Sequence, residues 1–206
     1  MRETIFPALA VALRLLWMAA EGLHAMRPRS GGVREWDRIW RARHARGTAG
    51  RELERGSGRA WDVASLCGAL GVVLWYAGVG RARGWELPAG SAGVLLMLAG
   101  LALRWAAIRT LGQYFERVIN IQPGHEIVRR GLYRRVRHPS YTGALVAHFG
   151  FGLAFADWLT LAASFLPMLA AVLYRVRVEE DALRQKFGAE YELYSAHTKR
   201  LLPGIY

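Results

Sequence analysis

Residues 140–176 read SYTGALVAHFGFGLAFADWLTLAASFLPMLAAVLYRV, and one acid, Asp157, splits them into two apolar runs. The first is Ser140 to Ala156 and the second Trp158 to Val176. Lipid cannot satisfy a bare peptide group, so an apolar run of this kind closes its own hydrogen bonds as a helix. A helix needs roughly 20 residues to cross a bilayer, and both runs fall a little short. The pattern predicts a tight helical hairpin whose turn, at Asp157, barely reaches the far surface.

Three more apolar spans precede it: Ile5–Met26, Trp61–Gly80 and Ala89–Ile108. The composition is 53% hydrophobic and 21% charged, and the two kinds of residue are segregated. Charge crowds into 27–59, 109–138 and 174–200. The expected fold class is therefore all-α, an integral membrane bundle of five transmembrane helices. At 206 residues the chain suits one domain. Residues 1–110 would carry helices one to three and the basic segment 27–59. Residues 111–206 would form the other half.

Arginine sets the orientation. The segments after the first, third and fifth spans are rich in it, while the 81–88 connection holds only Arg81 and Arg83. The positive-inside rule then puts the N-terminus outside and the C-terminus in the cytoplasm. The net charge of +12 flanks apolar spans, so anionic lipid headgroups explain it better than nucleic acid does. Lysine is confined to Lys186 and Lys199 in a chain rich in Ala, Gly, Leu and Arg. That bias points to a GC-rich bacterial source, hence to an inner membrane. Met1 to Met26 resembles a signal peptide, but Arg14 and Glu21 interrupt it, so it reads as a retained first helix.

Within the basic segment, Val33, Trp36, Ile39 and Trp40 recur at helical spacing, which suits a short helix on the membrane surface. Residues 47–59 read as a loose linker. Cys67 lies in an apolar span as a buried thiol with no internal disulfide partner. Glu179 to Tyr194 reads as a cytosolic helix interrupted by Gly188. Leu183, Phe187, Tyr191 and Tyr194 share one face of it. Nothing in the sequence fixes the oligomeric state.

Two polar clusters stand at the edges of the last two spans. The first runs from Gly131 to Gly143 and contains Arg137, His138, Pro139, Ser140 and Tyr141. Pro139 fits the first turn of a helix, which places His138 and Ser140 at its N-terminus. Free N–H groups and a partial positive charge there suit a carboxylate or phosphate. Interfacial Tyr, His and Arg are also ordinary membrane anchors, and spacing alone leaves both readings open. The second cluster is Arg175 to Glu180. Arg175 and Glu179 are four apart on one helical face, either as a surface ion pair or as a ligand clamp.

In order and spacing these clusters resemble the isoprenylcysteine carboxyl methyltransferase family. The carrying residues are Leu111-Gly112, Gly131-x-Tyr133, Arg137-His-Pro-Ser-Tyr-x-Gly143, Glu179-Glu180-x-x-Leu183, Phe187-Gly188-x-x-Tyr191-x-x-Tyr194 and Leu202-Pro203. The resemblance implies an S-adenosylmethionine-dependent enzyme acting on a membrane-embedded, lipid-like acceptor. It implies that His125, His138, Pro139, Ser140 and Tyr141 line the cofactor pocket. Glu179 would hold the methionyl ammonium, Arg175 would face the acceptor, and Gln113 would touch the cofactor. Arg175 and Glu179 are thus the catalytic pair, with O-methylation preferred over S or N. The first hundred residues match only as hydrophobic helices, and the long basic segment is a departure. Methyl transfer from a sulfonium asks a protein to align two partners and exclude water. No metal-ligand spacing and no Ser/His/Asp set stands in the sequence.

Ionisable residues inside a span usually face a cavity or a partner. His148 lies two turns after Tyr141. It reads as a neutral core histidine, or as a substrate-binding group that orients or deprotonates an acceptor. Arg104 sits near the cytosolic end of its span and is expected to snorkel. Arg14, Met18 and Glu21 are expected on one inward face. Two other functions fit less well. A sterol-reductase-like enzyme would use NADPH, but Ala144 follows Gly143 where those proteins place an acid. A non-catalytic protein would bind anionic lipid through 27–59.

Overall fold

The computed structural model describes residues 2–26, 56–80, 84–115, 126–204 and 206. Among them the protein is all helical: α1 (Arg2–Met26), α2 (Ser57–Tyr76), α3 (Glu86–Leu111), α4 (Pro139–Leu153), α5 (Trp158–Phe187) and α6 (Ala189–His197). Short 3-10 turns cover Gly112–Tyr114 and Gly131–Arg134. Among the described residues, Val136 and Lys199 form an isolated parallel bridge. The surface helix expected around Trp36 and Trp40, and His125, lie outside the described residues.

Each of the five apolar runs forms a helix, with shifted ends. α2 begins at Ser57, so the last residues of the expected linker are its first turn. α4 ends at Leu153, and the turn is Ala154–Ala156, with Ala156 at φ 48°. Asp157 caps α5 by accepting the Thr160 N–H at 2.5 Å, a contact that satisfies an otherwise orphaned donor. α5 then runs unbroken for 30 residues to Phe187. The expected separate helix from Glu179 to Tyr194 is therefore corrected. Glu179 continues the fifth apolar helix, and Gly188 (φ 51°) ends it before α6 begins. Gly188 tolerates that left-handed φ because it has no Cβ.

Three of the described helices are long and apolar enough to cross a membrane: Thr4–Leu23, Glu86–Leu111 and Trp158–Phe187. α4 has 15 residues and rises roughly 22 Å at 1.5 Å each, short of a hydrocarbon core of roughly 30 Å. It is the central helix, buried along most of its length. One core cluster joins it to α1, α2 and α3 through Ala10, Trp17, Trp75, Met97, Ala144, Ala147 and Phe151. A second joins it to α2 and α5 through Ala64, Leu145, Met168, Val172 and Val176. α1 keeps much of its apolar surface outward, including Ile5, Leu15, Leu16 and Leu23. The exposure of so much leucine suits lipid rather than water.

α3 and α4 make the most extensive helix pair, and glycines bring their backbones together. A Cβ on Gly143 would lie 2.6 Å from both the Arg104 nitrogen and the Gly100 carbonyl oxygen. Gly93 and Gly150 repeat the approach further along. Small residues of this kind are what let helices close up in lipid. Here they set the level of α4, and so the height of His138 and Tyr141 above the bundle. Cys67 is half-buried rather than buried.

Candidate active site

The site forms where the start of α4 meets the extended end of α5. Pro139 occupies the first helical turn and His138 is the N-cap residue (φ −125°, ψ 53°). The His138 carbonyl accepts the N–H groups of Tyr141 and Thr142. Its own N–H donates to the Arg200 carbonyl at 3.0 Å, and the Arg137 N–H donates to the Lys199 carbonyl at 2.7 Å. Thr142 Oγ1 donates to the Leu201 carbonyl at 2.6 Å. The closing segment of the chain thus straps the beginning of α4 in place. The His138 ring, 4% exposed, stacks on Tyr141 with centroids 5.6 Å apart and planes 21° apart.

Tyr141 reaches across to α5. Its hydroxyl donates to Glu179 Oε2 at 2.7 Å and accepts Arg175 Nε at 2.9 Å. Arg175 also reaches Ser57 Oγ, 3.4 Å from Nη1, at the first residue of α2. The Arg175–Glu179 spacing read from the sequence is thus tied through a tyrosine from another helix. Glu179 is partly exposed, while Arg175 is buried.

Glu180 plays a different part from its neighbour. Its side chain is fully buried, and three arginines converge on it. Arg137 Nε donates to Oε1 at 2.9 Å, and Arg200 Nε and Arg184 Nη2 donate to Oε2 at 3.1 and 3.3 Å. His138 Nε2 lies 3.4 Å from Oε1 and makes no hydrogen bond among the described residues. Breaking such a buried ion pair from one side is costly because the other charge is stranded. Arg137 in turn donates to the carbonyls of Ser195 and Thr198. Below it, Tyr194 donates its hydroxyl to the Tyr133 carbonyl at 2.8 Å. Burial pushes that Tyr194 hydroxyl up to about 12, so it stays a donor at neutral pH.

A second polar layer lies deeper in the bundle. Arg104 does not snorkel: it is 5% exposed and points inward. Its Nε pairs with Glu21 Oε1 at 2.5 Å and its Nη1 donates to the Ser140 carbonyl at 3.2 Å. Trp17 Nε1 also donates to Glu21 Oε1, at 2.6 Å. Arg14 reaches His148 Nε2 at 2.5 Å. Met18, expected on this inward face, is exposed, and Trp17 takes its place. Of the residues read from the sequence, His138, Tyr141, Arg175 and Glu179 come together. Pro139 and Ser140 are buried in the same turn. His148 lies two turns below them, against Arg14. Glu180 was read only as the neighbour of Glu179 in its motif, with no role of its own, and Ser57 and Trp61 were not marked as site residues. Trp61 packs beside both Tyr141 and His148, with centroids 6.2 Å away in each case.

The local chemistry fits an amino-acid-like ligand. Glu179 accepts Tyr141 through Oε2 and is partly exposed, so a further donor can reach its carboxylate. His138 Nδ1 lies 3.9 Å from Glu179 Oε2, while its Nε2 is turned to the buried Glu180 carboxylate.

Architecture and side chains together define a helical membrane protein with a cluster of polar and charged groups at one end of its bundle. Residues 93–185 match the sequence model of the isoprenylcysteine carboxyl methyltransferase (ICMT) family, so the resemblance read from the motifs holds over that segment. A probable protein-S-isoprenylcysteine O-methyltransferase of Oryza sativa subsp. indica is 34% identical over 115 residues, 55% of this chain and 60% of the rice protein. The protein-S-isoprenylcysteine O-methyltransferase of Saccharomyces cerevisiae is 33% identical over 104 residues, 50% of this chain and 44% of the yeast protein. The chain therefore spans about half the length of such relatives. The solved structure of the eukaryotic intramembrane Ras methyltransferase ICMT superposes with a TM-score of 0.59 at 24% identity, over 70% of this chain and 52% of that one. The fold is thus ICMT-like, and the chain is a membrane protein.

Proposed function

We propose that the protein is an S-adenosylmethionine-dependent methyltransferase that methylates a membrane-embedded, lipid-like acceptor, preferentially at oxygen. The observation that carries this reading is the Arg175–Tyr141–Glu179 relay beside the buried His138, inside the segment similar to the ICMT family. S-adenosylmethionine supplies the methyl group as an electrophilic sulfonium substituent. Glu179 takes the methionyl ammonium, while His138, Pro139, Ser140 and Tyr141 line the donor pocket, with His125 joining them. Arg175 holds the oxygen that receives the methyl group. The protein's work is alignment and water exclusion, which can contribute several kcal/mol to the rate.

The orientation that goes with this reading has five transmembrane helices, an external N-terminus and the site on the cytoplasmic face. The polar donor arrives from the cytosol, and the acceptor arrives sideways from the bilayer. A bacterial inner membrane suits the composition, and there the acceptor is a small isoprenoid, phenolic or fatty lipid. Isothermal titration with S-adenosylhomocysteine tests the donor site. Binding by the wild type and at least tenfold weaker binding by Glu179→Ala and His138→Ala is the expected result, since each removes a contact to a charged group. Equal affinities would remove the donor assignment.

A further inference from the structure

The deeper polar layer is not needed to hold a methyl donor, and its chemistry is unusual. Arg14 sits midway along the apolar stretch Thr4–Leu23, where a charge is costly unless a partner or ligand answers it. Among the described residues its hydrogen-bond partner is His148 Nε2. His148 Nδ1 lies 2.8 Å from the Ala144 carbonyl, which can only accept, so Nδ1 carries the ring proton. Nε2 then offers a lone pair to the guanidinium, and His148 is a neutral acceptor. Arginine has five N–H donors, and this contact uses one of them. The carboxylate on the same face, Glu21, already accepts from Trp17 and Arg104. The walls around the guanidinium are aromatic: Trp17 at 5.2 Å and Phe151 at 5.5 Å. Such rings exclude water, and Glu21 acts on the cation through its charge, while the hydrogen bond among the described residues goes to His148.

The layer also communicates with the reacting end. Trp61 touches both Tyr141 above and His148 below. His148 follows Tyr141 by two helical turns, roughly 10 Å at 1.5 Å per residue. A lipid tail leaving the Tyr141–Arg175 end toward the bilayer interior passes this level.

We propose that Arg14, walled by Trp17 and Phe151, is an acceptor subsite that takes a second oxygen of the lipid chain, about 10 Å from the methylated atom. The acceptor is then not a plain hydrocarbon or isoprenyl tail but one carrying a mid-chain ketone, ester or carboxylate oxygen. This rests on the methyltransferase reading for the direction of the tail. It puts acceptor specificity in α1, outside the segment similar to the ICMT family.

The test measures dissociation constants in detergent for stearate and for 10-oxostearate on the full chain saturated with S-adenosylhomocysteine. Wild type is expected to bind 10-oxostearate about tenfold more tightly, the worth of one hydrogen bond from a charged donor. Arg14→Met should bring 10-oxostearate down to the affinity of stearate, and Arg14→Lys should retain part of the preference. Equal affinities for the two fatty acids in wild type would overturn the subsite without recourse to any variant. A preference that survives Arg14→Met would overturn it as well. Failure to bind S-adenosylhomocysteine is a separate outcome. It would remove the donor reading, while a preference lost with Arg14 would still mark the oxygen subsite.

Discussion

The Tyr141 hydroxyl stands between Arg175 and Glu179, accepting from the first at 2.9 Å and donating to the second at 2.7 Å. It therefore couples the side proposed for the acceptor to the side proposed for the donor. Tyr141→Phe keeps the ring stacked on His138 and removes both hydrogen bonds. Bonds to charged groups are each worth about 1.5–3 kcal/mol, so turnover should fall by about 10- to 100-fold. Affinity for S-adenosylhomocysteine should change by about threefold or less, because Glu179 remains. A radiolabelled methyl-transfer assay against lipid extract, paired with titration, separates the two effects. Loss of affinity with turnover preserved would reverse the assignment of roles.

Glu179 and Glu180 are adjacent acids with opposite duties. Glu180 is fully buried under Arg137, Arg184 and Arg200, so Glu180→Gln strands several cations at once. The expected cost is about 3–5 kcal/mol of stability, as for other buried pairs broken from one side. Glu179→Gln should cost about 1 kcal/mol or less, since its carboxylate is partly exposed. Thermal unfolding in detergent checks both. Similar losses for the two variants would mean that Glu179 also holds the fold together.

The helices were legible because lipid imposes length and apolarity on them. Asp157 between two apolar runs announced the hairpin, and Pro139 announced the start of α4. The motif residues His138, Tyr141, Arg175 and Glu179 could be named before their distances were known. Glu180 could not be separated from Glu179, because its partners Arg137 and Arg200 lie 43 and 20 residues away. The same limit hid Trp61 and Ser57, which belong to α2 and become neighbours of the site only through helix packing. Arg104 was misread for a related reason. A position near the end of a span suggests snorkelling, but the Glu21 carboxylate from α1 and the Ser140 carbonyl of α4 turn it inward.

Glycine gives a paired prediction. A Cβ on Gly143 would press within 2.6 Å of the α3 backbone, so Gly143→Ala must separate α3 from α4. Overpacking of this kind costs about 1–3 kcal/mol. Because Gly143 is two residues from Tyr141, affinity for S-adenosylhomocysteine should fall with it. Gly22, inside α1, has open space around it. Gly22→Ala should be neutral or stabilising by up to about 1 kcal/mol, the helix-propensity difference. Unfolding temperatures that move in the same direction for both would contradict the close packing of α3 on α4.

The Glu21–Arg104 pair ties α1 to the site. Arg104 donates to the Ser140 carbonyl while it pairs with Glu21 at 2.5 Å. α1 packs on α3 and touches α4 little, so this pair and Arg14–His148 add polar ties to the apolar packing of Ala10 and Trp17. Arg104→Met leaves Glu21 with the Trp17 donor, and Glu21→Gln leaves Arg104 without a counter-charge. Each single change should cost about 3 kcal/mol, following the cost of stranding a buried charge. The double variant should cost less than the sum by about 1–3 kcal/mol, because nothing is then stranded. Simple additivity in a double-mutant cycle read by detergent unfolding would show that the two side chains act independently. Substrate use gives the second readout. If Arg104 transmits the position of α1 to the start of α4, Arg104→Met should raise the KM for the lipid acceptor more than it lowers kcat, with donor affinity held.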